Sequence, residues 1–217
     1  MSKVKLATRK NIFNQKQILD PAKHCYKYTI CVSGAAATGL CAPDAPKKAQ
    51  ELGREIVKNN CVLVTGATTG IPFYAAKGAK EAGGISIGLS PAFSERDHLK
   101  RYKLPIAYQD LIIYTGFDYA GRNLLLTRAS DAVIIVCGRI GTLNEFTIAF
   151  EDDKPVGILT GTGGTADMVK PIIDKSHRGK GKIVYDSDPA RLVKKVLKLI
   201  HKESVMKGIP NREIHKW

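Results

Sequence analysis

One run of nine residues could do chemistry as a unit: Cys137-Gly138-Arg139-Ile140-Gly141-Thr142-Leu143-Asn144-Glu145. Gly138 and Gly141 let a turn approach an anion closely, and Thr142 adds a hydroxyl donor. Where such a turn opens into a helix, the first N–H groups are free and the dipole is positive, so Gly138, Arg139, Ile140, Gly141 and Thr142 form a candidate phosphate site. Glu145 is the exception, because a phosphate would repel its carboxylate. It is therefore expected to face a sugar or a reacting carbon. The plainer alternative is a helix-start carboxylate that complements the dipole, worth about 0.3–1 kcal/mol.

The elements that must hold this run can be read on either side of it. Residues 132–136 are one continuous apolar run, as expected of a strand buried on both faces of a parallel sheet. Residues 142–150 read as the helix it feeds. The same alternation fills the chain. Strands are expected over 28–33, 61–65, 85–89, 111–115, 131–137, 155–159 and 182–185. Helices are expected over 45–59, 70–82, 121–129, 142–150, 165–175 and 189–203. This order predicts an α/β fold, a doubly wound, mostly parallel sheet of about seven strands with helices on both faces. Residues 28–205 then form one domain, after a basic arm over 1–27 with a short helix around 15–19, and before a tail over 206–217. Residues 92–109 are charged, contain Pro105 and read as a long surface excursion. Leu192, Val193, Val196, Leu197, Leu199 and Ile200 make an apolar face on the last helix, expected to cover the sheet rather than a membrane.

In such sheets ligands lie beyond the carboxyl ends of the strands, at a switch in strand order. Gly34 and Ala35 follow the first strand, Gly66, Thr68 and Thr69 the second, Ser90 and Pro91 the third, and Gly116 the fourth. The loop over 160–165 follows the sixth. Glycine recurs there with threonine, so one polyanionic or polyhydroxylated ligand is expected to span that edge. Asp118 and Tyr119 could touch a base or sugar, although a capping role for Asp118 is the simpler account. There is no GxxxxGK[ST], no GxGxxG, and no acid ending the second strand, which argues against P-loop and dinucleotide chemistry.

Thirty-four Lys and Arg against twenty Asp and Glu give a net charge of +14, which favours anionic partners. The excess is spread over several segments, so nucleic-acid binding has only weak support. No apolar run approaches the roughly 20 residues of a membrane span. Met1–Leu6 lacks a signal-like core, so no membrane role and a cytoplasmic location are expected. The five cysteines form no CxxC pair and are expected to be buried, reduced thiols. His24, His98, His177, His201 and His215 sit in polar or basic context and are read mostly as surface residues. No metal or other cofactor is expected.

The 138–145 run resembles the GGxGTxxE signature of the Lonely Guy (LOG) family, also labelled "possible lysine decarboxylase", within the SLOG group of Rossmann-like nucleotide-binding domains. The resemblance extends to Arg122-Asn123-Leu124-Leu125-Leu126 and Ser130-Asp131-Ala132, where that family has an Arg-Lys pair before the motif strand. It also takes in the 65–70 loop, in place of a GGG-type turn. It spans about residues 28–200 and is specific over 116–151. It implies a homodimer that hydrolyses the N-glycosidic bond of a nucleoside 5′-monophosphate, a phosphoribohydrolase. Glu145 and Arg122 would be catalytic, and Gly138, Gly141 and Thr142 would hold the phosphate. A carboxylate at the anomeric carbon suits the oxocarbenium-like state of that reaction. The chain departs from the family at Cys137, where the family has proline, and at Arg139, where it has a second glycine. These departures motivate an alternative, a non-catalytic nucleotide or cofactor carrier or sensor of the same superfamily. A DNA-processing-like protein is a third reading, resting on charge.

Overall fold

A computed structural model describes residues 27–206. The expected basic arm, its helix around 15–19 and the C-terminal tail fall almost wholly outside the described residues. In chain order the elements are β1 (Thr29–Gly34), α1 (Ala45–Lys58), β2 (Val62–Thr65), α2 (Ile71–Glu81), β3 (Ser86–Ser90), α3 (Glu95–Lys100), β4 (Leu111–Tyr114), α4 (Asp118–Arg128), β5 (Ala132–Val136), α5 (Ile140–Glu151), β6 (Val156–Leu159), α6 (Gly164–Ser176), β7 (Ile183–Asp186) and α7 (Pro189–Met206). The seven strands make one sheet in the order β4-β3-β2-β1-β5-β6-β7. Every pairing is parallel.

Side-chain alternation along the strands builds two cores. Ile30, Val32, Leu63 and Ile134 meet Leu52 and Ile56 of α1, Ala75 of α2, and Leu192 and Val196 of α7. On the other face Cys31, Val64, Val133 and Ile135 meet Leu126 of α4, Phe146 of α5 and Val169 of α6. All five residues of β5 are buried, because the strand lies between β1 and β6 and under helices on both faces. That is why its sequence does not alternate. Each fully buried Ile or Leu contributes about 1.5–3 kcal/mol. The apolar face of α7 closes the first of these cores, as its pattern predicts.

The strand order fixes where a ligand can sit. From β1 the chain steps outward to β4, returns to place β5 beside β1, and steps outward again to β7. Gly34 pairs with Val136, so β1 and β5 end level and their loops leave in opposite directions. The gap between those loops is the switch point.

Three expectations are corrected here. The 92–109 excursion contains α3, which Ser94 caps by accepting from the Asp97 N–H at 3.2 Å. His98 is fully buried rather than on the surface. It meets Ser90 Oγ through Nδ1 at 2.8 Å and the Pro105 carbonyl through Nε2 at 3.1 Å. The carbonyl can only accept, so Nε2 carries the proton and Nδ1 accepts from Ser90. The polar setting of His98 in sequence is the setting of a buried clasp. Cys41 and Cys137 are also not free thiols. They form a disulfide across 96 residues, while Cys31 and Cys61 are buried and unbridged. Topology brings Cys41 to the β5 turn, and sequence spacing carries no trace of that meeting.

Candidate functional site

The switch point opens into a crevice of about 380 Å³, lined by Gly34, Ala35 and Ala36 after β1, Thr68 after β2, Tyr119, Arg122 and Asn123 of α4, and residues 139–142 with Glu145 of α5. That volume lies in the range of small-molecule sites, about 300–1,000 Å³. The α5 N-terminus forms one wall. Its N-cap, Arg139, is extended and makes no side-chain cap, and no acidic residue occupies the first turn. Among the described residues no side chain caps this N-terminus, so its first N–H groups and the positive end of the helix dipole are left open beside the crevice. The exposed Arg139 side chain adds a cation to the same wall.

The crevice is also lined by a buried polar cluster. Glu145 is 6% exposed and Arg122 is 5% exposed. The Ser33 hydroxyl donates to Glu145 Oε2. The Asn123 amide, turned so that its nitrogen faces acceptors, donates to Glu145 Oε1 and to the Tyr119 carbonyl, each at 2.9 Å. Arg122 Nη1 stands 3.8 Å from Glu145 Oε1, an ion pair beyond hydrogen-bond reach. Arg122 Nε is buried and, among the described residues, has no hydrogen-bond partner. Burial pushes the Glu145 carboxyl up, and Arg122 and Ser33 only partly offset it. The same burial, with the Glu145 charge nearby, raises the Cys31 thiol well above its usual range.

Gly66 makes room for the guanidinium. A Cβ there would lie 1.6 Å from Arg122 Nη1. Gly66 is not among the residues lining the crevice; the absence of its side chain leaves the space that the Arg122 guanidinium fills.

The β5 turn is locked from behind. Cys137 has φ of 52° and Gly138 of 108°, whereas Arg139 has φ of −130°. The left-handed positions are thus 137 and 138, and Arg139 carries no strain. A proline, with φ held near −65°, could not take the conformation found at 137. The departure from the LOG pattern there is therefore a change of backbone path. Thr165 and Ala166, at the start of α6, donate their N–H groups to the Gly138 and Cys137 carbonyls at 3.1 and 2.8 Å. Thr162 Oγ1 accepts the Cys137 N–H at 2.8 Å, and Thr165 Oγ1 donates to the Arg139 carbonyl at 2.9 Å. The disulfide and the bond from Ala42 N–H to the Thr162 carbonyl tie the β1 loop to this assembly.

The expected edge-wide ligand surface is therefore narrower than the loops imply. Arg139, Ile140, Gly141, Thr142, Gly34, Ala35, Thr68, Arg122 and Glu145 line the crevice. Gly138 shapes the turn behind Thr142, and Thr69 donates to the Ala36 carbonyl at 3.0 Å. Gly116 lies against Phe93, away from the crevice. The 160–165 loop backs the β5 turn, and Ser90 holds His98. Sequence reasoning missed Ala36 and Asn123 as lining residues. Asn123 follows Tyr119 by four, the spacing of one helix face, and that was its available signal.

Among the described residues, no helix is long and apolar enough to cross a membrane.

Comparison with known proteins places this geometry. The family model for the SLOG cluster4 family matches residues 27–193. A protein of Archaeoglobus fulgidus, itself without an assigned role, is 31% identical over 126 residues, covering 58% of this chain and 78% of that one. The molybdenum cofactor carrier protein of Chlamydomonas reinhardtii is similar in structure, with a TM-score of 0.65 and 29% identity over 81% of this chain and 99% of its own. DNA processing protein A of Streptococcus pneumoniae has a TM-score of 0.56 at 20% identity, covering 79% of this chain and 61% of that protein, and shares the fold alone.

Proposed function

The chain belongs to the SLOG cluster4 family, and from that premise we propose that it binds a phosphate-bearing small molecule, a nucleotide or cofactor, in the switch-point crevice and carries or senses it without chemistry. The observation that carries this reading is a crevice lined both by the uncapped α5 N-terminus and by Arg122, whose buried Nε has no hydrogen-bond partner among the described residues. Buried donors in folded proteins are nearly always satisfied, so an orphan of this kind in a crevice wall points to an absent acceptor. Phosphate supplies both the charge and the acceptors.

Likeness to a molybdenum cofactor carrier supports carriage over turnover. The uncapped helix, Arg139 and the orphaned Arg122 donor fit the phosphate of such a cofactor. Among the described residues no group of His, Cys, Asp or Glu could hold a metal ion, so the fit extends only to the organic part. Glu145 also suits a binder, since Ser33, Asn123 and Arg122 already surround it.

The decisive experiment is native mass spectrometry of the purified protein, followed by titration with the compounds found. Arg122→Gln should lose at least ten-fold in affinity for them. Unchanged affinity would remove Arg122 from the site and this reading with it.

One observation favours a second reading. Glu145 and Arg122 share one wall of a crevice of nucleotide size, the pair on which LOG-like N-glycosidic hydrolysis would depend. On that reading Glu145→Gln retains nucleotide binding and abolishes base release from nucleoside 5′-monophosphates. Saturable base release by the unaltered protein would establish catalysis, and its absence across the four common bases leaves the carrier.

A further inference from the structure

The crevice is much larger than a phosphate, and the residue at its α4 rim is unlike the others. Tyr119 lines the crevice yet remains 47% exposed. Its neighbours hold it in place. The Tyr102 ring meets it edge-on, with centroids 5.6 Å apart and planes at 82°. The Tyr102 hydroxyl donates to Asp118, and the Arg101 guanidinium lies 4.9 Å from the Tyr102 ring centroid. Arg101 also approaches Asp118 at 3.6 Å. Asp118 adopts φ of 50°, a left-handed conformation that few non-glycine residues take. Strain of this kind persists only where the surroundings enforce it, and it collects at ligand sites.

The 92–109 excursion is what delivers this support. His98 pins α3 to the end of β3 through Ser90 and to the following loop through Pro105. Tyr102 lies just beyond α3, so the clasp sets where its ring can reach. Phe93 and Phe117 are more exposed than Tyr119, at 71% and 65%, but neither lines the crevice. An aromatic that is fixed in position, half open and set in the wall of an anion site is suited to a flat partner.

We infer that Tyr119 is the ring subsite of the crevice: a planar heteroaromatic group, on a ligand whose phosphate sits at the α5 N-terminus, stacks on it, and Tyr102 with Asp118 positions the Tyr119 ring. The inference rests on the phosphate-binding reading above and adds the ligand's other end. It assigns the excursion a role in selectivity, that of ranking ligands by their rings. Stacking tolerates different rings, because every base presents a π-face.

The test is calorimetric titration of the full chain with ribose 5-phosphate and with the 5′-monophosphates of adenosine, guanosine, cytidine and uridine. The unaltered protein should bind at least one nucleotide about ten-fold or more tighter than ribose 5-phosphate. Tyr119→Ala should erase that margin; the Arg122 guanidinium lies 5.9 Å from the Tyr119 ring centroid, so ribose 5-phosphate affinity also falls, but by less than nucleotide affinity. Tyr119→Phe should keep the margin, Tyr102→Phe should reduce it in part, and Phe93→Ala should leave it intact. If nucleotides and ribose 5-phosphate bind equally, or if Tyr119→Ala preserves the margin, Tyr119 is not a ring subsite while the phosphate reading stands. A Tyr119→Ala loss equal for all five probes also overturns the inference, since it marks a structural role. If none of the five binds the unaltered protein, the ring subsite falls, while the phosphate reading is decided separately by the Arg122→Gln titration with the co-purified compounds.

Discussion

Two carboxylates in this molecule sit beside arginines and end in opposite electrostatic states. Asp186, at the end of β7, receives Arg191 at 2.9 Å, Lys195 at 2.8 Å and the Asp188 N–H at 2.9 Å. Those bonds hold its carboxyl far below the usual carboxylate range. Glu145 has one arginine at 3.8 Å, and burial pushes its carboxyl up. The first arrangement is closed: every partner is within hydrogen-bond reach and the charges compensate. The second is open, with an ion pair too long to be a hydrogen bond and an unused donor on the cation. A buried pair in that state does little for stability. Its position at the switch point, where such folds place ligands, is why we assign the proposed role to this pair and not to Asp186.

Removing the arginine from each pair gives the largest contrast. Arg122→Ala leaves Glu145 buried without its cation, and loss of one partner of a buried pair is expected to cost about 3–5 kcal/mol. Arg191→Ala should be nearly silent, because Lys195 still reaches Asp186 and both cations are open to solvent. Urea unfolding of the two variants measures the difference. Equal losses would erase the distinction between the sites. Reduction is expected to come next in size. The Cys41–Cys137 disulfide closes a loop of 96 residues, and opening it should cost about 2–4 kcal/mol. Hydrogen exchange should rise around residues 34–45 and 137–142 while β7 stays protected. A rise at β7 as well would mean that the disulfide supports the whole domain and not the crevice alone.

The contrast also explains which features were legible in the sequence. The uninterrupted apolar run of Ala132–Val136 and its alternation with helices gave the parallel sheet, because burial on both faces leaves that imprint on composition. Residues 139–142 were legible because glycines before a helix have a local cause. Arg122 was reached only through resemblance to a family, since nothing local distinguishes it from a solvated helix residue. The disulfide, the His98 clasp and the withdrawal of the 160–165 loop were not legible. Each depends on which strand ends the topology brings together. Arg139 shows the same limit at one residue: it stands where the LOG signature has glycine, yet its φ is −130° and the left-handed positions are Cys137 and Gly138.

Gly66→Ala probes the open pair without touching either member. The Gly66 backbone is not left-handed, so alanine fits its conformation, but its Cβ would lie 1.6 Å from Arg122 Nη1. The guanidinium must move, and overpacking of this kind costs about 1–3 kcal/mol. Affinity for a phosphate ligand should fall by about the same factor as in Arg122→Gln. If stability falls and affinity does not, the position of Arg122 matters to the fold but not to the ligand.

The smallest effect is the pH dependence, and its sign separates the two carboxylates. Glu145 has a raised folded value, so the stability tied to its proton is fully present below the ordinary glutamate value of 4.5 and is lost as pH rises through the raised one. Asp186 has a lowered folded value, so its stability is present above the ordinary 3.8 and is lost as pH falls through the lowered one. Glu145→Gln should therefore flatten the stability profile above pH 4.5, and Asp186→Asn should flatten it only below pH 3.8. Urea midpoints across pH 2–8 read both windows. If Glu145→Gln leaves the profile above pH 4.5 parallel to that of the unaltered protein, Glu145 is as well compensated as Asp186. The open pair would then lose its electrostatic signature, and the assignment of the crevice would rest on Arg122 Nε and the uncapped α5 helix.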